Sequence, residues 1–189
     1  MKRLLLTMAA LILALPLGAA ELGDDGLHKT DWMRDTFKDL REDLAEAKSE
    51  GKRLVLLVEQ RGCIYCTKMH QEVFPREEID SYIRDHFFVV QMNLFGDVEL
   101  TDFDGEVLTE KQAAGKWGLL FTPTILFLPE DVPEGHSAAQ AAVATMPGAF
   151  GPGTTLDLLT WVREKRYATE EDASFQKYHA RMIEQRRAE

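Results

Sequence analysis

The chain has little cysteine, little positive charge and no long apolar run, and each shortage closes off a class of protein. Only two cysteines occur in 189 residues, so at most one internal bridge can form and a disulfide-stapled scaffold is excluded. Nor can two cysteines alone supply the four protein ligands of a structural zinc site. Lysine and arginine total 22 against 32 aspartates and glutamates, a net charge of −10. That balance argues against a nucleic-acid partner, which would need a basic face. There is no internal repeat, low-complexity tract, Ser-His-Asp set or glycine-rich phosphate loop. A hydrophobic content of 45% with 29% charged residues excludes wholesale disorder. The length suits one domain with a sizeable core.

The longest apolar run stands at the start. Lys2 and Arg3 precede Leu4 to Leu17, and Gly18-Ala19-Ala20 offers small residues for cleavage before Glu21. The run is shorter than the roughly 20 residues of a comfortable membrane span. Residues 1–20 therefore read as a signal peptide, with an uncleaved anchor as the alternative. No cysteine lies at the cleavage site, which excludes a lipoprotein. Export, here to the periplasm, puts the cysteines in an oxidising compartment, where a pair held reduced needs a supply of electrons.

Both cysteines fall in Gly62-Cys63-Ile64-Tyr65-Cys66. Before them, Leu54 to Val58 reads as a buried strand; after them, Met69, Val73 and Phe74 recur at helical spacing. A C-x-x-C at a strand-to-helix junction sets Cys63 where helix amides and the positive dipole end converge, which favours the thiolate. Arg61 and Lys68 add positive charge nearby, with Cys63 expected to be exposed. Cys66, one turn on, can close a ring or resolve a mixed disulfide. His70 shares the helical face of the two cysteines, so a copper-binding module is a competing reading. An exposed helix histidine is the commoner case.

Along the chain, residues 21–30 read as a flexible, irregular segment. Met33, Phe37, Leu40, Leu44 and Ala47 predict an amphipathic helix over 31–48. Further helices are predicted over 76–86 and 108–116, and strands over 87–94 and 124–128. Asp104-Gly105 signals a hairpin turn; Asp102-Phe103-Asp104-Gly105 lacks the remaining ligands of a calcium loop. Residues 129–152 read as a hairpin with a loop whose second, edge strand covers 142–146. A helix follows over 154–167, with Leu156, Leu159, Trp161 and Val162 inward. Thr169 and Asp172 suggest a capping box for a last helix, whose stripe of Phe175, Tyr178, His179, Met182 and Ile183 is expected to pack on the domain. Trp117 is expected in the core, and His28, His86, His136 and His179 form no constellation. Strands alternating with helices predict an α/β sheet covered on both faces.

With Cys63-Ile64-Tyr65-Cys66 and Phe121-Thr122-Pro123-Thr124 taken together, the chain resembles thioredoxin-fold thiol-disulfide oxidoreductases, and among them secreted, SoxW-type thioredoxins of the bacterial periplasm. The resemblance implies a thioredoxin fold with a central mixed sheet, helices on both faces, and added N-terminal and C-terminal helices, over residues 31–189. It implies a cis Pro123, with Thr122 presenting its backbone to an extended peptide; Tyr65, between the cysteines, either shapes the partner surface or simply covers the sulfurs. It further implies a disulfide reductase acting on exported proteins, supplied by a membrane thiol-electron transporter, working as a monomer with no cofactor and no resident metal. A disulfide oxidase or isomerase of the same fold uses the same two cysteines. One departure concerns the proton. Where thioredoxins keep a buried carboxylate, six residues before the first cysteine, this chain has Leu57; Glu59, on the same strand face, is the substitute candidate.

Overall fold

The computed structural model describes residues 20–188. The signal-peptide reading falls almost wholly outside them. Among the described residues no helix is long and apolar enough to cross a membrane. The order of elements is β1 (Glu21–Leu22), β2 (His28–Lys29), β3 (Met33–Arg34), α1 (Leu40–Ser49), β4 (Arg53–Glu59), α2 (Ile64–Lys68) and α3 (Glu77–His86). Then come β5 (Phe87–Asn93), β6 (Glu99–Thr101), β7 (Val107–Thr109), α4 (Glu110–Lys116), β8 (Thr124–Phe127), α5 (Ala138–Ala141), β9 (Ala144–Pro147), α6 (Pro152–Arg163) and α7 (Phe175–Ala188). A π-helical turn over Met69–Val73 continues α2 without a break.

Five strands form the central sheet in the order β3-β5-β4-β8-β9. β3, β5 and β4 run parallel; β8 is antiparallel to β4, and β9 to β8. The sheet is mixed, as expected, and strand alternation divides its apolar side chains between two cores. Leu54, Leu56 and Val58 of β4 pack with α1, α4 and α5. Val55 and Leu57 face the other way, toward the π-turn, α3, α6 and α7. Glu59, two residues beyond Leu57, lies on this second face.

Several expectations change. The helix assigned to 31–48 begins only at Leu40. Lys38 stands in the left-handed region at φ 58, and Asp39 caps the helix by accepting from the amides of Arg41 and Glu42. Met33 instead pairs with Val89 in the sheet, and Phe37 is exposed. The segment 21–30, read as irregular, forms the β1–β2 ribbon with Leu27 buried beneath it. Leu108 belongs to β7, and α4 starts after a capping box between Thr109 and Gln112. The last helix begins at Phe175, so the Thr169–Asp172 box is only half made: Thr169 Oγ1 accepts from the Asp172 amide at 3.3 Å, while the Asp172 carboxylate turns to Arg166 and Arg181.

Other expectations stand. Asp102 to Gly105 is a turn, its amide of Gly105 bonded to the Asp102 carbonyl at 2.9 Å. Lys116 Nζ sits among Asp102, Asp104 and Glu106 at 2.9, 2.5 and 2.9 Å, which satisfies the acidic cluster internally. Trp117 is buried, and its Nε1 donates to Asp102 at 2.8 Å. The stripe of α7 packs on the domain through buried Tyr178, with Phe175 and Met182 beside it.

Candidate active site

β4 delivers the chain to Cys63, whose φ and ψ are extended and whose sulfur caps α2 by accepting from the Cys66 amide at 3.0 Å. This is the convergence of amide and sulfur that the spacing implies, and a negative charge on Cys63 Sγ would be stabilised there. Cys63 and Cys66 are joined as a disulfide, with Cα atoms 5.2 Å apart. Cys66 is wholly buried. Cys63, expected to be exposed, keeps only 6% of its surface open. That opening faces a groove of about 560 Å³ between Gly62–Tyr65, the Leu120–Thr122 loop and Pro147–Ala149.

The Thr122–Pro123 peptide bond is cis, and Thr122 Oγ1 donates to Cys63 Sγ at 3.3 Å. Pro123 is buried behind it. Ile64, Tyr65, Leu120 and Phe121 stand around the groove with more than half of their surface in solvent. So many large apolar side chains around one opening form a surface suited to an apolar or extended partner segment. The two basic residues near the cysteines are engaged elsewhere. Arg61 donates to the carbonyls of Asp25 and Asp24 at 3.3 and 3.4 Å, and Lys68 lies 4.0 Å from Glu72.

Beneath the helix lies a polar cluster only partly anticipated. Glu59 is fully buried; its Oε1 lies 3.0 Å from His70 Nε2, and its Oε2 accepts from Gln91 Nε2 at 2.7 Å. His70, expected to be exposed, is 1% open. His28, expected to stand alone, stacks on His70 with ring centroids 4.5 Å apart and planes 12° apart. Its Nε2 lies 3.2 Å from Thr67 Oγ1, which in turn donates to the Cys63 carbonyl at 3.2 Å. Burial, and then the nearby His70, hold His28 below the ordinary histidine range, against the pull of the Glu59 charge. Donor atoms of His28, Glu59 and His70 lie within 4.8 Å of one another. His179, also expected to stand alone, has its Nδ1 2.6 Å from Asp157 Oδ2.

A C-x-x-C disulfide at a strand-to-helix junction, faced by a proline loop in an α/β sheet, defines a thioredoxin-fold oxidoreductase site. The chain belongs to the thioredoxin-like domain family (Thioredoxin_2), whose profile matches residues 40–146. No curated protein matches it. Among solved structures it is similar to a thioredoxin-fold protein from Helicobacter pylori, at 20% identity and a TM-score of 0.53, over 71% of this chain and 83% of that one. A thioredoxin from Thermus thermophilus aligns at 20% identity and a TM-score of 0.49, over 66% and 84%. The oxidised C-terminal domain of DsbD from Neisseria meningitidis aligns at 13% identity and 0.46, over 68% and 100%. The first of these likenesses speaks to the fold, and none of them separates its secreted, SoxW-type members from the others.

Proposed function

We propose that the protein is a periplasmic thiol-disulfide oxidoreductase that reduces disulfides of exported proteins. The observation that carries this reading is the Cys63–Cys66 pair itself, with the first sulfur capping α2 and opening on an apolar groove beside Thr122. In the reduced protein the Cys63 thiolate attacks one sulfur of a partner disulfide. A Cys63–partner bond forms, and the partner's other sulfur leaves as thiolate. Cys66 then attacks Cys63, closing the internal bridge and releasing the reduced partner. Tyr65, Thr122 and Pro123 border the partner's path, and Glu59 is the buried carboxylate available to the proton step. The reducing direction rests on the export reading of residues 1–20, with electrons returning from a membrane thiol transporter.

The reduction potential of the mature protein tests the direction. A value of about −230 to −270 mV is expected for a reductant, whereas one near −120 mV would make it an oxidant. Trapping tests the roles. Cys66→Ser should accumulate a mixed disulfide with substrate through Cys63, and Cys63→Ser should not; equal trapping would reverse or cancel the assignment. Failure to form any reversible bridge, with copper retained stoichiometrically by the reduced form, would replace the redox reading with a metal-binding one.

A further inference from the structure

The inner face of the active-site helix carries a histidine whose bonds are half made. Gln91 fixes the direction of the network. Its Nε2 donates to the His28 carbonyl and to Glu59 Oε2, both at 2.7 Å, while its Oε1 accepts from Lys29 Nζ at 2.7 Å. Lysine can only donate, so the Gln91 amide cannot be turned around, and Glu59 must accept from it. The other Glu59 oxygen meets His70 Nε2 at 3.0 Å. Imidazole is ordinarily a stronger base than carboxylate, so the shared proton belongs on Nε2. That leaves His70 Nδ1 as a bare lone pair. It is buried and has no hydrogen-bond partner among the described residues. Buried polar atoms are nearly always satisfied, and an exception at a reactive site asks for a use.

Cys66 lies four residues before His70 and both are buried, a spacing that puts two side chains on one helical face, with no hydrogen bond between them in the oxidised protein. Helical side chains lean toward the N-terminus, so a ring at position 70, at the start of the π-helical turn, leans toward the turn that carries Cys66. We propose that His70 takes up and returns the Cys66 proton, and that Glu59 is a positioning residue that holds its tautomer. This rests on the dithiol reading above and deepens it. During substrate release the Cys66 thiol passes its proton to Nδ1, and its electron pair attacks Cys63. The Cys63–Cys66 bond forms, the Cys63–partner bond breaks, and the partner leaves as thiolate. The imidazolium then gives this proton to the departing partner thiolate, which restores the neutral Nε2–H imidazole in the oxidised protein. When a donor thiolate later opens the internal disulfide, Cys66 leaves as thiolate and is protonated from solvent through Nδ1. A carboxylate, an imidazole and a sulfur in series use the logic of an oriented histidine base.

Other charged groups face this ring from several elements. His28 stacks on it from β2, and Lys29 reaches it through Gln91. Asp31, Asp80 and Arg84 line the cavity beside it, where Arg84 binds both acids. The neighbours thus offer one negative charge in direct contact, that of Glu59.

Reduced protein mixed with 5,5′-dithiobis(2-nitrobenzoate) releases one thionitrobenzoate as Cys63 attacks and a second as Cys66 resolves the adduct. In His70→Gln the second release should slow at least about tenfold at neutral pH and then rise with hydroxide, while the first stays within about twofold. Glu59→Gln should slow the second phase in the same selective way. A second phase at the wild-type rate, or equal slowing of both phases, would overturn the proposal. Should His70→Gln not fold, the imidazole nitrogen spectrum of the wild type decides. The Nε2–H tautomer is expected for His70 in the oxidised protein, and the Nδ1–H tautomer would refute it. No release at all from the wild type would instead remove the dithiol reading on which this one rests.

Discussion

Asp43 shows what burial does to one carboxyl group. It sits in α1, 3% exposed, accepting from Thr36 Oγ1 at 3.2 Å. Loss of water pushes its pKa up from 3.8 to about 6, the Thr36 bond opposes the rise, and the charges of Glu46, Asp39 and Glu42 add to it. The folded chain therefore keeps this proton to about pH 6, while the unfolded chain releases it near 3.8. Between those values the folded state binds more protons, so stability falls as pH rises through the window. Asp43→Asn should accordingly gain about 1–2 kcal/mol over wild type at pH 7 and nothing at pH 3.5, after allowance for residual solvation. Urea midpoints at the two pH values check this; a gain that ignores pH would point to packing instead. At this scale the reactive pair was legible, because two cysteines two residues apart need no fold to be noticed. Glu59 was half legible, as the single charge ending an apolar strand. Its partners were not, since His28 and Gln91 arrive from distant segments and only the β4–β5 register brings Gln91 opposite Leu57.

Elements with their own periodicity were readable; elements made by pairing were not. β4, β5 and β8 are continuous apolar runs buried on both faces, the signature of inner strands. The start of α1 was misread because Met33, Phe37 and Leu40 happen to repeat at helical spacing. What decides the matter is non-local, namely the free edge of β5 that recruits Met33–Arg34. The break itself sits at Lys38, a residue that does not advertise a left-handed backbone. Asp39 then carries the real start of the helix. Asp39→Ala leaves the amides of Arg41 and Glu42 without their side-chain acceptor, and should cost about 1 kcal/mol. A urea midpoint unchanged from wild type would show that water replaces the cap at no loss. The same reasoning explains the last helix: Thr169 and Asp172 have the right letters for a cap, but the Asp172 carboxylate is drawn to Arg166 and Arg181 instead.

For the molecule as a whole, the sheet separates two cores, and α7 closes the one that also contains the π-turn. Tyr178 anchors that closure, buried, with the guanidinium groups of Arg166 and Arg181 over its ring. Trp161 reaches across the same joint to the Asp172 carbonyl at 2.7 Å. Tyr178→Ala should destabilise the fold by about 3 kcal/mol, the range for emptying a buried aromatic site. Denaturation followed by tryptophan fluorescence would register the loss; an unchanged midpoint would mean that α7 docks without it. The borders of the sheet have a consequence of another kind. One edge, β3, is two residues long, and the other, β9, is four residues long and ends at Pro147. A free border that short gives a neighbouring chain almost no row of amides and carbonyls to copy. Among the described residues the central sheet therefore offers crowded copies little template for stacking strand upon strand, and the apolar lips of the groove are a stickier part of the surface.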